Sequence, residues 1–140
     1  MIFFLSSCYN NIEAEDTHDP VVKVKFEKDT VRVGDTIRIY NYSYSTCTGI
    51  VFNVGNQNQH SDGFPEDCKL MEKLSDFPVF DTTSLKNIYS VVAGSEYYVQ
   101  PGTMRVKIYA NTSWEYDIGC HRTSRSKTDT ATFALTILPK

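Results

Sequence analysis

The sequence predicts an all-β sandwich, and three observations carry that prediction. Tyr and Phe number nine and eight among 140 residues, and Val, Ile and Thr recur beside them. β-Branched and aromatic side chains suit the half-buried surface of a pleated sheet. Short runs alternate apolar and polar residues with a period of two, the signature of a strand with one face inward. Turn residues separate these runs, and no long stretch carries a strong helical period. A chain of this length fits one domain and can bury a core.

The elements follow in order. Val22, Val24 and Phe26 alternate with Lys23, Lys25 and Glu27. Val33-Gly34-Asp35 marks a turn, and Ile37 and Ile39 then alternate with Arg38 and Tyr40. Ile50 to Val54 is a short apolar run that Gly55-Asn56 ends. Residues 56–96 read as irregular. Within them Pro65 to Ser75 has room for one short helix, with Pro65 in its first turn. Phe77 to Phe80 suits a brief edge strand, because Pro78 has no N–H to give to a ladder. Tyr97 to Val99 leads into the turn Pro101-Gly102. Met104, Val106, Ile108 and Ala110 then alternate with Arg105, Lys107 and Tyr109. In the last strand Phe133, Leu135 and Ile137 point inward, and Thr132, Ala134 and Thr136 outward.

Charge is segregated. Residues 9–20 hold Glu13, Glu15, Asp16 and Asp19 and no base. All fourteen Lys and Arg lie beyond, against thirteen of the seventeen acids, so the body is near neutral. No basic stripe points to nucleic acid. The acidic stretch reads as a solvated tether.

Ahead of that tether stands Leu5-Ser6-Ser7-Cys8. A leucine three places before a cysteine, with small residues between, resembles the lipobox of bacterial lipoproteins. That resemblance implies cleavage before Cys8 and a diacylglycerol on its sulfur. Met1-Ile2-Phe3-Phe4-Leu5 is short for a signal and has no basic residue, so residues 1–7 read as the remnant of a longer one. The organisation is then a residual signal at 1–7, a lipidated cysteine with its acidic tether at 8–20, and a sandwich at 21–139 with an insertion at 56–90. The acids after Cys8 also resemble a surface-export signal of some Gram-negative lipoproteins. The implied location is the outer membrane, surface-exposed, with the periplasmic face as the alternative.

Within the body, Val33-Gly34-Asp35-Thr36-Ile37 resembles the opening of the second strand in PKD-like domains, a branch of the immunoglobulin-like sandwiches. Tyr98-Val99-Gln100-Pro101-Gly102-Thr103-Met104-Arg105-Val106 resembles that family's tyrosine, Pro-Gly turn and following strand. The family's central Trp-Asp-Phe-Gly-Asp-Gly stands here as Phe52-Asn53-Val54-Gly55-Asn56-Gln57. The resemblance spans about residues 20–138 and implies an immunoglobulin-like or PKD-like sandwich with an irregular insertion. Such domains act as spacers or as adhesion and glycan-contact modules and are not usually catalytic.

With Cys8 lipidated, Cys47, Cys68 and Cys120 remain. An exported protein can form disulfides. The immunoglobulin-like topology puts the loops holding Cys47 and Cys120 at one end, which favours that pair. Cys47–Cys68 and Cys68–Cys120 are the rival pairings. Cysteine spacing gives no standard zinc motif, and no metal or cofactor is expected.

No catalytic constellation is visible. His18, His60 and His121 are isolated, and neither a Gly-rich phosphate loop nor a Gly-x-Ser-x-Gly elbow occurs. The expectation is a non-enzyme. Two groups suit a ligand instead. One gathers Tyr42, Tyr44, Trp114 and Tyr116 with His121, Arg122 and Arg125, since flat aromatics and Arg stack on sugars or grip a protein partner. The plainer alternative is that the tyrosines line a strand's outer face. The other is the polar insertion, with Asn58, His60 and Asp62 as candidates. Its plainer alternative is a loop covering a sheet edge. Topology sets the insertion at the end opposite the aromatics. The expected function is a lipid-anchored envelope binding or adhesion module for a glycan or protein. A structural spacer or accessory subunit of an envelope complex is the alternative, and a small hydrolase or inhibitor is weaker.

Overall fold

The computed structural model describes residues 19–54, 58–64, 68–72, 76, 87–118 and 120–140. Cys8 and the run Phe77 to Phe80 lie outside the described residues.

The chain is an all-β, two-sheet sandwich. Its strands are β1 (Val24–Phe26), β2 (Thr30–Arg32), β3 (Thr36–Asn41), β4 (Cys47–Val54), β5 (Asn58–Gly63), β6 (Asn87–Val92), β7 (Gly102–Ile118) and β8 (His121–Leu138). One sheet runs β1-β3-β6 and the other β2-β8-β7-β4-β5. Strand β1 joins the first sheet and β2 the second, where it pairs parallel with β8. Three long-range pairings, β1 with β3, β4 with β7 and β7 with β8, tie distant parts of the chain into the two sheets.

Alternation builds the core as expected. Ile37 and Ile39 from one sheet face Ile50, Phe52, Val106, Ile108, Leu135 and Ile137 from the other, and all are buried. Phe52 lies 5.0 Å from Tyr98 and 5.8 Å from Tyr89, ring centre to ring centre. Full burial of a side chain such as Phe52 contributes about 3 kcal/mol. The Val33-Gly34-Asp35 turn also forms. Gly34 sits at φ 99°, which a side chain would disfavour, and Asp35 accepts a hydrogen bond from Arg32 N at 2.9 Å.

The structure corrects the reading of residues 56–96 as irregular. Strand β5 pairs with β4, and β6 pairs with β3. Strand β5 is Asn-Gln-His-Ser-Asp-Gly, with no apolar alternation to announce it. A backbone ladder at the sheet edge suffices to hold it. Strand β6 does alternate, with Tyr89 buried between exposed Ile88 and Ser90. The expected helix over Pro65 to Ser75 is absent from residues 68–72. Met71 is instead bridged in parallel to Trp114. Backbone pairing to β7 and a covalent tie at Cys68 hold this segment extended.

Candidate functional site at the base of a projecting hairpin

Strands β7 and β8 pair without interruption from Gly102↔Ile137 to Ile118↔His121. Strand β4 flanks β7 only as far as Cys47↔Asn111. The hairpin therefore projects past the sandwich by seven residues of β7, roughly 24 Å at 3.4 Å per residue. Residues 68–72 take over where β4 stops. Met71 N donates to Ser113 O at 3.2 Å, and Glu115 N donates to Met71 O at 2.6 Å. We refer to this segment as the strap.

A disulfide pins the strap at the changeover. Cys47 bonds Cys68, with Cα atoms 4.7 Å apart. This overturns the expected Cys47–Cys120 pairing. Cys47 stands opposite Asn111, whereas Cys120 occupies the turn at the hairpin tip. Nine residues of strand separate those levels, roughly 30 Å, and a disulfide needs Cα atoms within about 7 Å. The topology placed both loops at one end correctly. It did not reveal how far the hairpin runs beyond that end.

The aromatic candidates are not a surface platform. Trp114 is 3% exposed, Tyr116 6% and Tyr44 5%. Trp114 and Tyr116 continue the inward phase of Met104, Val106, Ile108 and Ala110, and they form a second small core against Met71. Thr112, fully buried, lies between the two cores. Around it a belt of buried polar residues, Asn41, Ser43, Ser45, Thr46 and Thr48, closes this end of the sandwich. The belt largely satisfies itself. Ser45 and Thr48 share a hydroxyl–hydroxyl bond of 2.8 Å, and Thr46 Oγ1 donates to Asn111 O at 2.9 Å. Burial raises the Tyr44 phenol above its ordinary pKa, because the charged form is poorly solvated there.

Charged side chains dress the projection. Arg122 reaches Glu72 of the strap at 3.3 Å and Glu115 at 3.6 Å. The Arg125 guanidinium lies 5.2 Å from the Tyr116 ring centre, a cation–π distance. Lys127 bonds Asp19 at 2.8 Å, and Val22 N donates to Asp129 Oδ2 at 2.8 Å. The chain therefore enters the sandwich at the hairpin's own end. Asn58, His60 and Asp62 stand on β5 opposite Val54, Phe52 and Ile50.

The insertion and the aromatic group, set at opposite ends by the sequence reading, meet at one end. Strand β5 runs back alongside β4, from Val54↔Asn58 to Gly49↔Gly63, and delivers the strap to Trp114. On the outer face of the sheet, the strap and β7 enclose a groove of about 370 Å³. The disulfide, Lys69, Leu70, Tyr109, Asn111 and Thr128 line it. A larger opening of about 860 Å³ lies where β1 and β2 part, next to Phe133. Much of that opening's lining is the charged linker Glu27, Lys28 and Asp29 between the two strands. Sequence reasoning missed Tyr109 and Asn111, although both lie in the outward phase of a clearly alternating strand. Among the described residues no group of three or more His, Cys, Asp or Glu could hold a metal, and no helix is long and apolar enough to cross a membrane.

No family model, curated protein or solved structure matches this chain.

Proposed function

We propose that this chain is a lipid-anchored, non-catalytic binding module of a bacterial cell envelope, with a glycan or a protein as its ligand. One observation supports the binding role most. The end of the sandwich carries a projecting hairpin with its own aromatic core and a disulfide-pinned strap, beyond anything the main core requires. Such stiffening keeps a contact surface preorganised and lowers the ordering cost of binding. Beside the strap lies an open groove lined by both apolar and polar side chains.

The Leu5-Ser6-Ser7-Cys8 motif supports the anchor. The Asp19–Lys127 contact adds a consequence. An anchor at Cys8 brings the hairpin end toward the membrane, and the eleven residues from Cys8 to Asp19 reach roughly 40 Å when extended, enough to turn it away. A second function, accessory subunit of an envelope complex, draws on the same hairpin, because an ordered projection also suits docking into a larger assembly.

Fractionation and acyl labelling of the full chain test the anchor. Wild type should partition with membranes and incorporate labelled fatty acid, and Cys8→Ala should do neither. A soluble, unlabelled wild type would refute the anchor. A glycan array and affinity capture from the envelope then separate the two functions. A stable protein partner without glycan binding favours the subunit.

A further inference from the structure

The geometry points to a saccharide subsite in the groove beside the Cys47–Cys68 bridge, with Tyr109 as the stacking floor and Asn111 as the orienting amide. This deepens the binding function proposed above and rests on it.

The floor is a built feature. Gly49 lies in the interior of β4, flanked by β5 and β7, where glycine weakens a strand and often marks a close approach. Here the approaching group is Tyr109. A Cβ at Gly49 would sit 2.1 Å from the Tyr109 ring carbon that carries the hydroxyl. The tyrosine thus lies across the neighbouring strand over bare backbone. Gly63 pairs with Gly49 on the far side. Tyr109 also lines the open groove, so part of the ring meets whatever enters it. An aromatic ring with a polar tip, held at low entropy cost, suits the apolar C–H face of a pyranose.

Asn111 follows at two residues along β7, on the same face and about 7 Å away. Its Oδ1 accepts from the Ser113 hydroxyl at 2.6 Å, and its Nδ2 donates to Thr128 Oγ1 at 2.9 Å. These bonds fix the amide plane. A side-chain amide has two N–H donors and two oxygen lone pairs. One of each is left over among the described residues, beside the hydroxyls of Ser113 and Thr128. Sugar hydroxyls both donate and accept, and an oriented amide answers both. The wall opposite is the disulfide with exposed Leu70, and among the described residues the lining carries one charged group, Lys69. The volume of about 370 Å³ falls at the small end of ligand pockets, the scale of one ring rather than a long chain. Neutral hexoses and hexuronic acids both satisfy this chemistry.

The test uses the full chain, labelled with nitrogen-15 and titrated with a panel of methyl hexopyranosides and hexuronic acids. Expected are saturable shifts at the amides of Leu70, Tyr109, Asn111 and Thr128 for at least one sugar. Tyr109→Ala should weaken that binding at least tenfold. Thr128→Trp fills the groove from the exposed neighbouring strand and leaves Tyr109 in the sequence, and should abolish binding. If Tyr109→Ala lowers thermal stability enough to confuse the result, Thr128→Trp decides alone. Sugar binding that survives both variants, or shifts that map elsewhere, would overturn the subsite while leaving a glycan module in place. No shift with any sugar in the panel would also overturn it. Membrane partitioning through Cys8 and capture of a protein ligand would then still report on the broader function.

Discussion

The two halves of the β7–β8 hairpin share strands, register and alternation, yet different partners bury them. In the lower half, Met104, Val106, Ile108 and Ala110 pack against a second sheet. In the upper half, Thr112, Trp114 and Tyr116 continue in phase, and among the described residues it is Met71 of the strap, rather than a strand of the other sheet, that packs there. The residue types change accordingly. The inward side chains of β7 are unbranched or aliphatic in the lower half, whereas in the projection they are Thr112 and two large aromatics with a polar tip. Among the described residues, a disulfide, two backbone bonds to the strap and several surface charges add to this. A covalent pin and wide side chains thus contribute to the projection what sheet-on-sheet packing contributes to the lower half.

This difference predicts two levels of stability on one hairpin. The largest effect belongs to the core that the lower half packs into, where Phe52 of β4 is fully buried. Phe52→Ala should cost about 3–5 kcal/mol in urea-induced unfolding, the usual loss for a buried aromatic. Trp114→Ala removes a larger side chain, yet should cost less than half as much globally, because only the projection frays. Equal losses would make the two halves one cooperative unit. Met71→Ala should cost about 1–2 kcal/mol, confined to the upper half. Trp114 is the only tryptophan, so its emission reports on that half directly, and it should shift to the red. An unchanged spectrum would deny the strap its covering role.

Alkaline pH sharpens the boundary between the halves. Tyr44 bridges Val21 next to the polar belt, and burial raises its pKa above the ordinary 10.0. The folded state therefore keeps the phenol proton to a higher pH than the unfolded chain. The stability tied to that proton is complete below about pH 10 and is lost as pH rises through the folded value. Tyr44→Phe should flatten this part of the alkaline stability profile. The smallest effect is at the surface. Arg122→Ala breaks both charge contacts to Glu72 and Glu115, but its side chain is 57% exposed. A thermal melt should register no more than about 0.5 kcal/mol.

The same contrast explains what could be read from the sequence. The lower half was legible because Met104 to Ala110 and Phe133 to Ile137 alternate cleanly. The upper half carried the same signal. Trp114 and Tyr116 are in phase with Met104, so following the period past Asn111 would have turned them inward and lengthened the hairpin. That length alone removes Cys120 as a partner for Cys47. Other features gave no periodic signal. Thr30-Val31-Arg32 offers one apolar residue and becomes a strand only beside β8. Strand β5 has none, and β4 holds it through backbone bonds. The strap is defined by one bridge and one disulfide, both to residues far along the chain. The groove was hidden for a related reason. It needs Gly49 and Tyr109 side by side, and only the β4–β7 register sets them together.

The division of the hairpin is tested most directly by native-state hydrogen exchange on the Cys47→Ser/Cys68→Ser variant. Closing a loop of this length, with a sequence separation of 21, contributes about 3.3 kcal/mol in the chain-entropy model. Amides of residues 112–118 and 121–127 should lose protection by up to that amount, while those of 102–110 and 131–138 keep theirs. Uniform loss along the whole hairpin, or no loss at its projecting end, would contradict a projection that the pinned strap stabilises separately.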